Sequence, residues 1–348
     1  MDINQIKEYE GLYICNDSQK TGLFAIIAVH STALGPAIGG CRCVPYAAVS
    51  EAVNDAMLLA KAMSRKSSIS GLPNGGAKAV IMRPAVIPNR KAFFERFGAF
   101  VESLGGIYYT AVDSGTDQED LDIVATQTRY ISAQVEKDAP PEATASWLTA
   151  QSVLSSMQAA AEFSLGSQDL SQLTIAIQGV GKVGGFLVDE LVRIGANIVI
   201  SETDSRNLSR VREKYPHLKV ISPHEIVKVP CDIFAPCALG GVLTHHSILD
   251  LQANIICGAA NNPLSSLEVA NRLLAQGVTY VPDFVANAGG VILASMKLNG
   301  FDQKAWEQKA REMSDTTLTI LRRSQSEGIS TQEIACQMAD ERIALAGR

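Results

Sequence analysis

Two stretches of this sequence carry residues whose types and spacing can do chemistry. The first is Thr174–Gly185, TIAIQGVGKVGG, in which Gly179, Gly181 and Gly184 form G-x-G-x-x-G between an apolar run and an apolar helical pattern. That context is the one a dinucleotide needs: Gly179 for a tight turn, Gly181 for close approach of backbone to a pyrophosphate, and Gly184 for helix packing. Backbone N–H groups at the helix start, through Val180, Lys182 and Val183, would face the phosphates. Glu202 ends NIVISE, 18 residues after Gly184, where a carboxylate can accept hydrogen bonds from a ribose diol. The second stretch, Met63–Met82, reads MSRKSSISGLPNGGAKAVIM and places Lys66 and Lys78 twelve residues apart. Lys66 falls at a predicted helix end and Lys78 at the start of a predicted strand, after Gly75-Gly76. A lysine next to a glycine pair is, by itself, most often a solvated loop charge. A lysine acting as a base near neutral pH needs a pKa well below its ordinary value, which burial or a second cation supplies.

The neighbouring motifs change the weight of the lysines. GPAIGGCRC (Gly35–Cys43), GLPNGGAKAVI, TAVDSGT (Thr110–Thr116), IQGVGKVG, CDIFAPCALGG (Cys231–Gly241), CGAANNP (Cys257–Pro263) and PDFVANAGGVI (Pro282–Ile292) follow one another in order. With them the chain resembles the glutamate/leucine/phenylalanine/valine amino acid dehydrogenase superfamily, most closely its leucine dehydrogenases, from about Tyr9 to Ile343. GGAK and NAGG are specific to that superfamily; the glycine-rich loop is not. The resemblance implies NAD-dependent, reversible oxidative deamination of an apolar L-amino acid to a 2-oxo acid, ammonium and NADH. It implies Lys78 as the catalytic lysine, Asp113 as the group handling protons at the amino nitrogen, and Lys66 as the partner of the α-carboxylate. Gly39 and Gly40 would put backbone against the substrate; Thr149, Asn262 and Asn287 would lie near the nicotinamide, and Ala238 along the cofactor groove. Asn262 would also touch substrate, and Ile38, Ala111, Val291 and Ala294 would line the side-chain pocket. The resemblance of this lining to the leucine-type one implies branched-chain substrates first and phenylalanine or tryptophan second. The family pattern is departed from at LASMKLNG (Leu293–Gly300), at Val112, and at the chain end.

Elements able to position these residues can be read from periodicity. Strands are expected at Leu23–Val29, Ala79–Met82 and Ile107–Val112, with helices at Ser50–Lys66 (capped by Ser50), Asn89–Leu104 and Asp117–Gln127. After the Pro/Ala-rich boundary Glu136–Ser146 come a helix from about Trp147 to Phe163, a strand Leu173–Gln178, a helix Lys182–Ile194 and a strand Ala196–Ser201. Strands Asp232–Ala235, Asn254–Cys257 and Thr279–Val281, then helices Trp306–Ser324 and Thr331–Ala346, complete the reading. This is an α/β chain. The expected parts are an N-terminal α/β substrate, catalytic and oligomerisation domain (1–140), a Rossmann-type doubly wound NAD domain (141–325), and a C-terminal helix (326–348) returning to the first, with the active-site cleft between the two domains.

Composition excludes other classes. The 348 residues are 47% hydrophobic and 19% charged, enough for two cores and against wholesale disorder. Lys+Arg 30 against Asp+Glu 36 gives a net charge of −6, with no generic attraction for nucleic acid or anionic lipid. The longest apolar run, Leu23–Val29, is far short of the ~20 residues that span a bilayer. The start, MDINQIKEYEG, carries no secretory pattern, and seven scattered cysteines point to reduced thiols and a cytoplasmic address. No metal is expected, since Cys41 and Cys43 lack further ligands nearby and His245-His246 diverge. Trp147, Trp306, Met57, Met63 and Met157 are expected to pack. A 2-hydroxy acid dehydrogenase would need a histidine–acid pair in a motif, and a silent homologue would have lost Lys78 or Asp113; neither holds here. The expected assembly is a homo-oligomer, at least a dimer.

Overall fold

The computed structural model describes residues 6–132, 144–238, 240–300 and 303–347. Most of the boundary segment Glu136–Ser146 and the Trp306 side chain lie outside the described residues. The chain divides into two compact units: Met1–Ala139 with Ile292–Asp302 and Ala339–Arg348, and Pro140–Val291 with Gln303–Met338.

The first unit is built on strands β1 (Gly11–Asp17), β2 (Leu23–Ser31), β3 (Ala37–Val44), β4 (Gly75–Met82) and β5 (Tyr108–Val112), in the spatial order β1-β2-β4-β3-β5. β1, β2 and β4 pair antiparallel, whereas β3 lies parallel between β4 and β5. Helix α1 (Val49–Ile69) covers one face, where Ala52, Val53, Ala56, Met57 and Ala60 pack on Ile26, Ala28 and Val80. Helices α2 (Arg90–Glu102) and α3 (Gln118–Ala125) belong to the opposite face, whose core is led by Phe93, Phe94 and Phe97. Asn89 caps α2 by accepting from Ala92 N–H, and Asp117 with Asp120 forms a reciprocal capping box at α3.

Three local expectations are corrected. Ser50 does not cap α1: the N-cap is Ala48, and Glu51 reaches back to accept the N–H of Ala47. Gly75-Gly76 lies inside β4 rather than before it, so Lys78 sits in mid-strand. The reason is steric. A Cβ on Gly76 would stand 2.0 Å from the backbone nitrogen of Ser64 in α1, and one on Gly75 would stand 2.0 Å from the Ser31 carbonyl oxygen. Only glycine lets the helix lie this close to the strand. Gly76→Ala is therefore expected to destabilise the fold by about 2–3 kcal/mol, the upper part of the overpacking range, measurable as a lowered urea midpoint. An unchanged midpoint would show that α1 can move away at no cost. The third correction is β3 itself, a strand absent from the periodicity reading.

The second unit holds β6 (Thr174–Gln178), β7 (Asn197–Ser201), β8 (Lys219–Val220), β9 (Cys231–Pro236), β10 (Ala253–Ile256) and β11 (Thr279–Tyr280). All pair parallel in the order β11-β10-β9-β6-β7-β8, the doubly wound order with its switch point between β6 and β9. Helices α4 (Ala145–Leu165), α5 (Lys182–Ile194), α6 (Ser205–Lys214), α7 (Leu267–Ala275), α8 (Asp283–Ala286), α9 (Gly289–Asn299), α10 (Gln303–Glu327) and α11 (Thr331–Ala346) complete the chain. Val153, Met157, Leu187, Leu191, Ile175 and Ile177 share one core of this unit. The residues at the end of α11 belong to the first unit, where Asp340 pairs with Arg65 at 2.7 Å and the Ser68 hydroxyl donates to the Ala339 carbonyl.

Candidate functional site

In the first unit the sheet brings three charged side chains together from β3, β4 and the end of β5. Strand register sets Gly40 against Ala111, and side chains two residues apart share a face. Gly40 and Arg42 on β3, Lys78 on β4, and Asp113 just past β5 meet on the face that α1 covers. Lys78 Nζ lies 2.6 Å from Asp113 Oδ2, with the lysine side chain 8% exposed. Gly40 makes room for that pairing: a Cβ there would stand 2.8 Å from Asp113 Cβ. Gly39 is required by the sheet itself, since its Cβ would fall 1.8 Å from the Ala77 carbonyl oxygen. The Tyr108 hydroxyl donates to the Gly39 carbonyl at 2.8 Å. Lys66 lies in the last turn of α1, on the helix covering the face from which Lys78 projects.

Asp113 is held from several sides. Its N–H donates to Thr116 Oγ1 at 2.9 Å, which fixes the turn after β5. Arg42 Nε lies 3.3 Å from the same Oδ2 that meets Lys78. Burial pushes the Asp113 carboxyl up, but the charges of Lys78 and Arg42 outweigh it and leave the group below the ordinary carboxylate range. Arg42 is the residue that sequence reasoning missed. The signal was present: in GGCRC the arginine stands two residues after Gly40, hence on the same face of an otherwise buried strand.

The second unit carries the glycine-rich loop at the switch point. Gly179 has φ +91°, and a Cβ on it would press on Ala238 at 2.8 Å. Gly184 would meet the Gly179 carbonyl oxygen at 2.1 Å, so its glycine is demanded by helix–loop packing. A Cβ on Gly181 would meet no closer atom than Asn207 Nδ2 at 4.0 Å, leaving open space on that side of the N-cap of α5. No side chain caps α5. Its first N–H groups therefore suit an anion, and the open space at Gly181 suits the close approach of a pyrophosphate. Val180, Lys182 and Val183 run between these glycines, with Lys182 exposed. Glu202 directly follows β7; Oε2 accepts from Val180 N–H at 2.8 Å, and Oε1 accepts from the N–H groups of Thr203 and Asp204.

Thr149 is in the second turn of α4, its hydroxyl donating to the Ala145 carbonyl. A Cβ on Gly289, at the start of α9, would lie 2.1 Å from the Leu148 carbonyl oxygen, so NAGG abuts this same turn. Asn287 is buried, and its Nδ2 donates to the Ala259 carbonyl and to Asn261 Oδ1. Asn262 has φ +49°, the one non-glycine residue with positive φ among those described, and its N–H donates to Asp283 Oδ2 at 2.8 Å. Backbone held in this region is concentrated at functional sites. Ile38 on β3 and Val291 and Ala294 on α9 are buried, and Ala111 on β5 is half-buried. No helix among the described residues is long and apolar enough to cross a membrane.

Comparison with known proteins gives the same direction. Residues 12–130 match the family model described as Glu/Leu/Phe/Val dehydrogenase, dimerisation domain, and residues 200–347 match that of Glutamate/Leucine/Phenylalanine/Valine dehydrogenase. A valine dehydrogenase of Streptomyces coelicolor is 40% identical over 338 residues, 97% of this chain and 92% of that protein. A leucine dehydrogenase of Geobacillus stearothermophilus is 36% identical, over 97% of this chain and 91% of its own. The crystal structure of L-tryptophan dehydrogenase from Nostoc punctiforme superimposes with a TM-score of 0.87 at 32% identity, covering 99% of each chain. The chain belongs to the glutamate/leucine/phenylalanine/valine family of pyridine-nucleotide-dependent amino acid dehydrogenases.

Proposed function

We propose that this chain is an NAD-dependent dehydrogenase that reversibly converts apolar L-amino acids, branched-chain ones first, to 2-oxo acids and ammonium. The observation that carries the reading is the contact of the buried Lys78 of GGAK with Asp113, 2.6 Å apart, in a chain that also presents an uncapped helix start at a glycine-rich loop. In this reading Lys66 binds the substrate α-carboxylate and the backbone at Gly39 and Gly40 lies against the substrate. Asp113 accepts a proton from the amino nitrogen. Lys78 polarises the carbonyl oxygen in one direction and activates the hydrolytic water in the other. The bound nucleotide supplies a hydride acceptor for the substrate Cα. Residues Gly179–Gly184 would hold its pyrophosphate and Glu202 its adenosine ribose, with Ala238 lining the groove and Thr149, Asn262 and Asn287 on the nicotinamide side. We further propose that the first unit supplies substrate chemistry and subunit contacts and that the second holds the nucleotide. The working form is then a cytoplasmic homo-oligomer, at least a dimer, with small-molecule partners and no metal.

Valine and leucine dehydrogenases at 40% and 36% identity support a branched-chain preference, and the tryptophan dehydrogenase structure keeps aromatic substrates as the second reading. The test is NADH formation at alkaline pH with a panel of L-amino acids and 2-hydroxy acids. Turnover of hydroxy acids alone, or of nothing, defeats the proposal.

Cofactor choice gives a further expected result. A 2′-phosphate in the place proposed for the ribose would face the carboxylate of Glu202. Of the two nearby cations, Arg206 is held by Asp204 at 2.8 Å, and Arg210 donates from Nη2 to the Val180 and Gly181 carbonyls. NAD should therefore exceed NADP in kcat/KM by about tenfold or more, the worth of one unfavourable charge contact near a surface. Glu202→Ser should narrow the gap. Equal kcat/KM for the two cofactors in the wild-type chain would remove Glu202 from this role.

A further inference from the structure

Asp113 does not face Lys78 alone. Arg42 reaches the same carboxylate oxygen from β3, and Arg42 is itself clamped: its Nη1 lies 3.0 Å from Asp55 Oδ2 on α1. Asp55 in turn accepts the Tyr46 hydroxyl at 2.5 Å. The result is a chain of alternating charges, Lys78–Asp113–Arg42–Asp55, in which the three groups after Lys78 are each about a quarter exposed.

The arrangement has a chemical consequence for a lysine that must lose a proton. In a closed lysine–carboxylate pair, deprotonating the lysine strands a largely buried carboxylate without a cation, and the pair resists it. A guanidinium keeps its charge at any working pH. With Arg42 in place, Asp113 retains a cation whichever form Lys78 takes. We propose that Arg42, held by Asp55, is a positioning residue that anchors the Asp113 carboxylate and so favours transfer of the Lys78 proton during the reaction. This inference rests on the reading of Lys78 as the catalytic lysine and deepens it.

Other groups near the pair do not substitute for Arg42. The thiol of Cys41, on β3, is pushed up to about 12 by burial, and burial likewise raises Tyr108 on β5 and Tyr46 beside Asp55. All three stay neutral while Lys78 works. The charged groups in contact with the pair or with its anchor are then Arg42 from β3, Asp113 after β5 and Asp55 from α1. Arg42 is the one that reaches Asp113 directly while bound to a second carboxylate.

The sign of the effect separates this role from simple stabilisation. Loss of the Arg42 charge favours the ammonium form of Lys78, so the acidic limb of kcat/KM moves to higher pH. Loss of the Asp55 charge leaves Arg42 less neutralised, so the limb moves to lower pH. Because Lys78 and Asp113 are coupled, the limb reports the pair.

The experiment compares wild type, Arg42→Gln, Arg42→Lys and Asp55→Asn, with NADH affinity by fluorescence and thermal unfolding as controls for folding. In Arg42→Gln the acidic limb is expected to rise by about one pH unit, a roughly tenfold loss of kcat/KM on the acid side with little loss on the alkaline plateau. Arg42→Lys should restore most of the wild-type profile, and Asp55→Asn should shift the limb downward. If Arg42→Gln does not fold, the Asp55→Asn shift decides alone. Limbs that stay at the wild-type position, or a loss equal at every pH, overturn the proposal. A wild-type chain without amino acid oxidation overturns the functional reading itself, and this inference with it.

Discussion

Replacing Lys78 with alanine is expected to lower kcat for amino acid oxidation by about 10³-fold or more, within the range for losing a positioned acid–base group. The chain should stay folded and still bind NADH. The lysine is 8% exposed and 2.6 Å from Asp113, so no solvent-borne base can readily take its place. Removing one partner of a buried pair usually destabilises strongly because the other charge is left unpaired. Here the penalty is reduced, since Asp113 keeps Arg42 at 3.3 Å and its position is fixed by its N–H bond to Thr116. Glycine-loop geometry belongs to the other unit, so NADH titration by fluorescence should give nearly the wild-type Kd. A near-normal kcat in this variant would end the assignment of Lys78. Asp113→Asn is the companion case: it keeps the shape of the carboxylate and loses the proton acceptor.

The phosphate loop was legible because each of its glycines answers to a local demand that sequence can show. A turn, an approach and a packing contact fall at fixed offsets between a strand and a helix. Helix α5 accordingly begins and ends where the apolar spacing puts it, at Lys182 and Ile194. Elements whose reasons are tertiary were not legible. Strand β3 contains Gly39-Gly40, which read as a break in any propensity count, and yet the sheet requires glycine there because the Ala77 carbonyl fills the space. Helix α6 was passed over because its sequence, SRNLSRVREK, is mostly polar; its start is set by Asp204 accepting the Arg206 N–H. Helix α9 was missed for the opposite reason. In GGVILASMKLN apolar residues run almost all round, so no face stands out. The Lys78–Asp113 pair came from motif resemblance, not spacing, since 35 residues of chain separate two positions that only strand register brings together. Arg42 could have been read from alternation on GGCRC, but its partners Asp55 and Asp113 lie 13 and 71 residues away.

Glutamate should be a very poor substrate, with kcat/KM at least about 10³-fold below that for valine or leucine, equivalent to the several kcal/mol charged to an unpaired buried carboxylate. The positions proposed for the side-chain pocket are Ile38, Ala111, Val291 and Ala294, none of which carries a charge or a hydroxyl. Ile38 is 1% exposed, and an apolar side chain there offers a distal carboxylate no hydrogen-bond or charge partner. Among apolar substrates the discrimination must be much weaker. A pocket of this type separates side chains by about 1–3 kcal/mol per methylene, so valine, leucine and isoleucine should lie close together. In the proposed pocket a side chain as small as Ala294 would admit a larger group, which puts phenylalanine or tryptophan next in rank rather than excluded. The two comparisons test different residues: a change at Ala294, such as Ala294→Val, should reorder branched-chain against aromatic substrates, while only a new cation or donor at Ile38 should raise glutamate. Steady-state kcat/KM for glutamate, valine, leucine, isoleucine and phenylalanine under one set of conditions decides it. A glutamate value equal to or above all four of the others would show that the pocket holds a carboxylate partner, and the apolar assignment would fall.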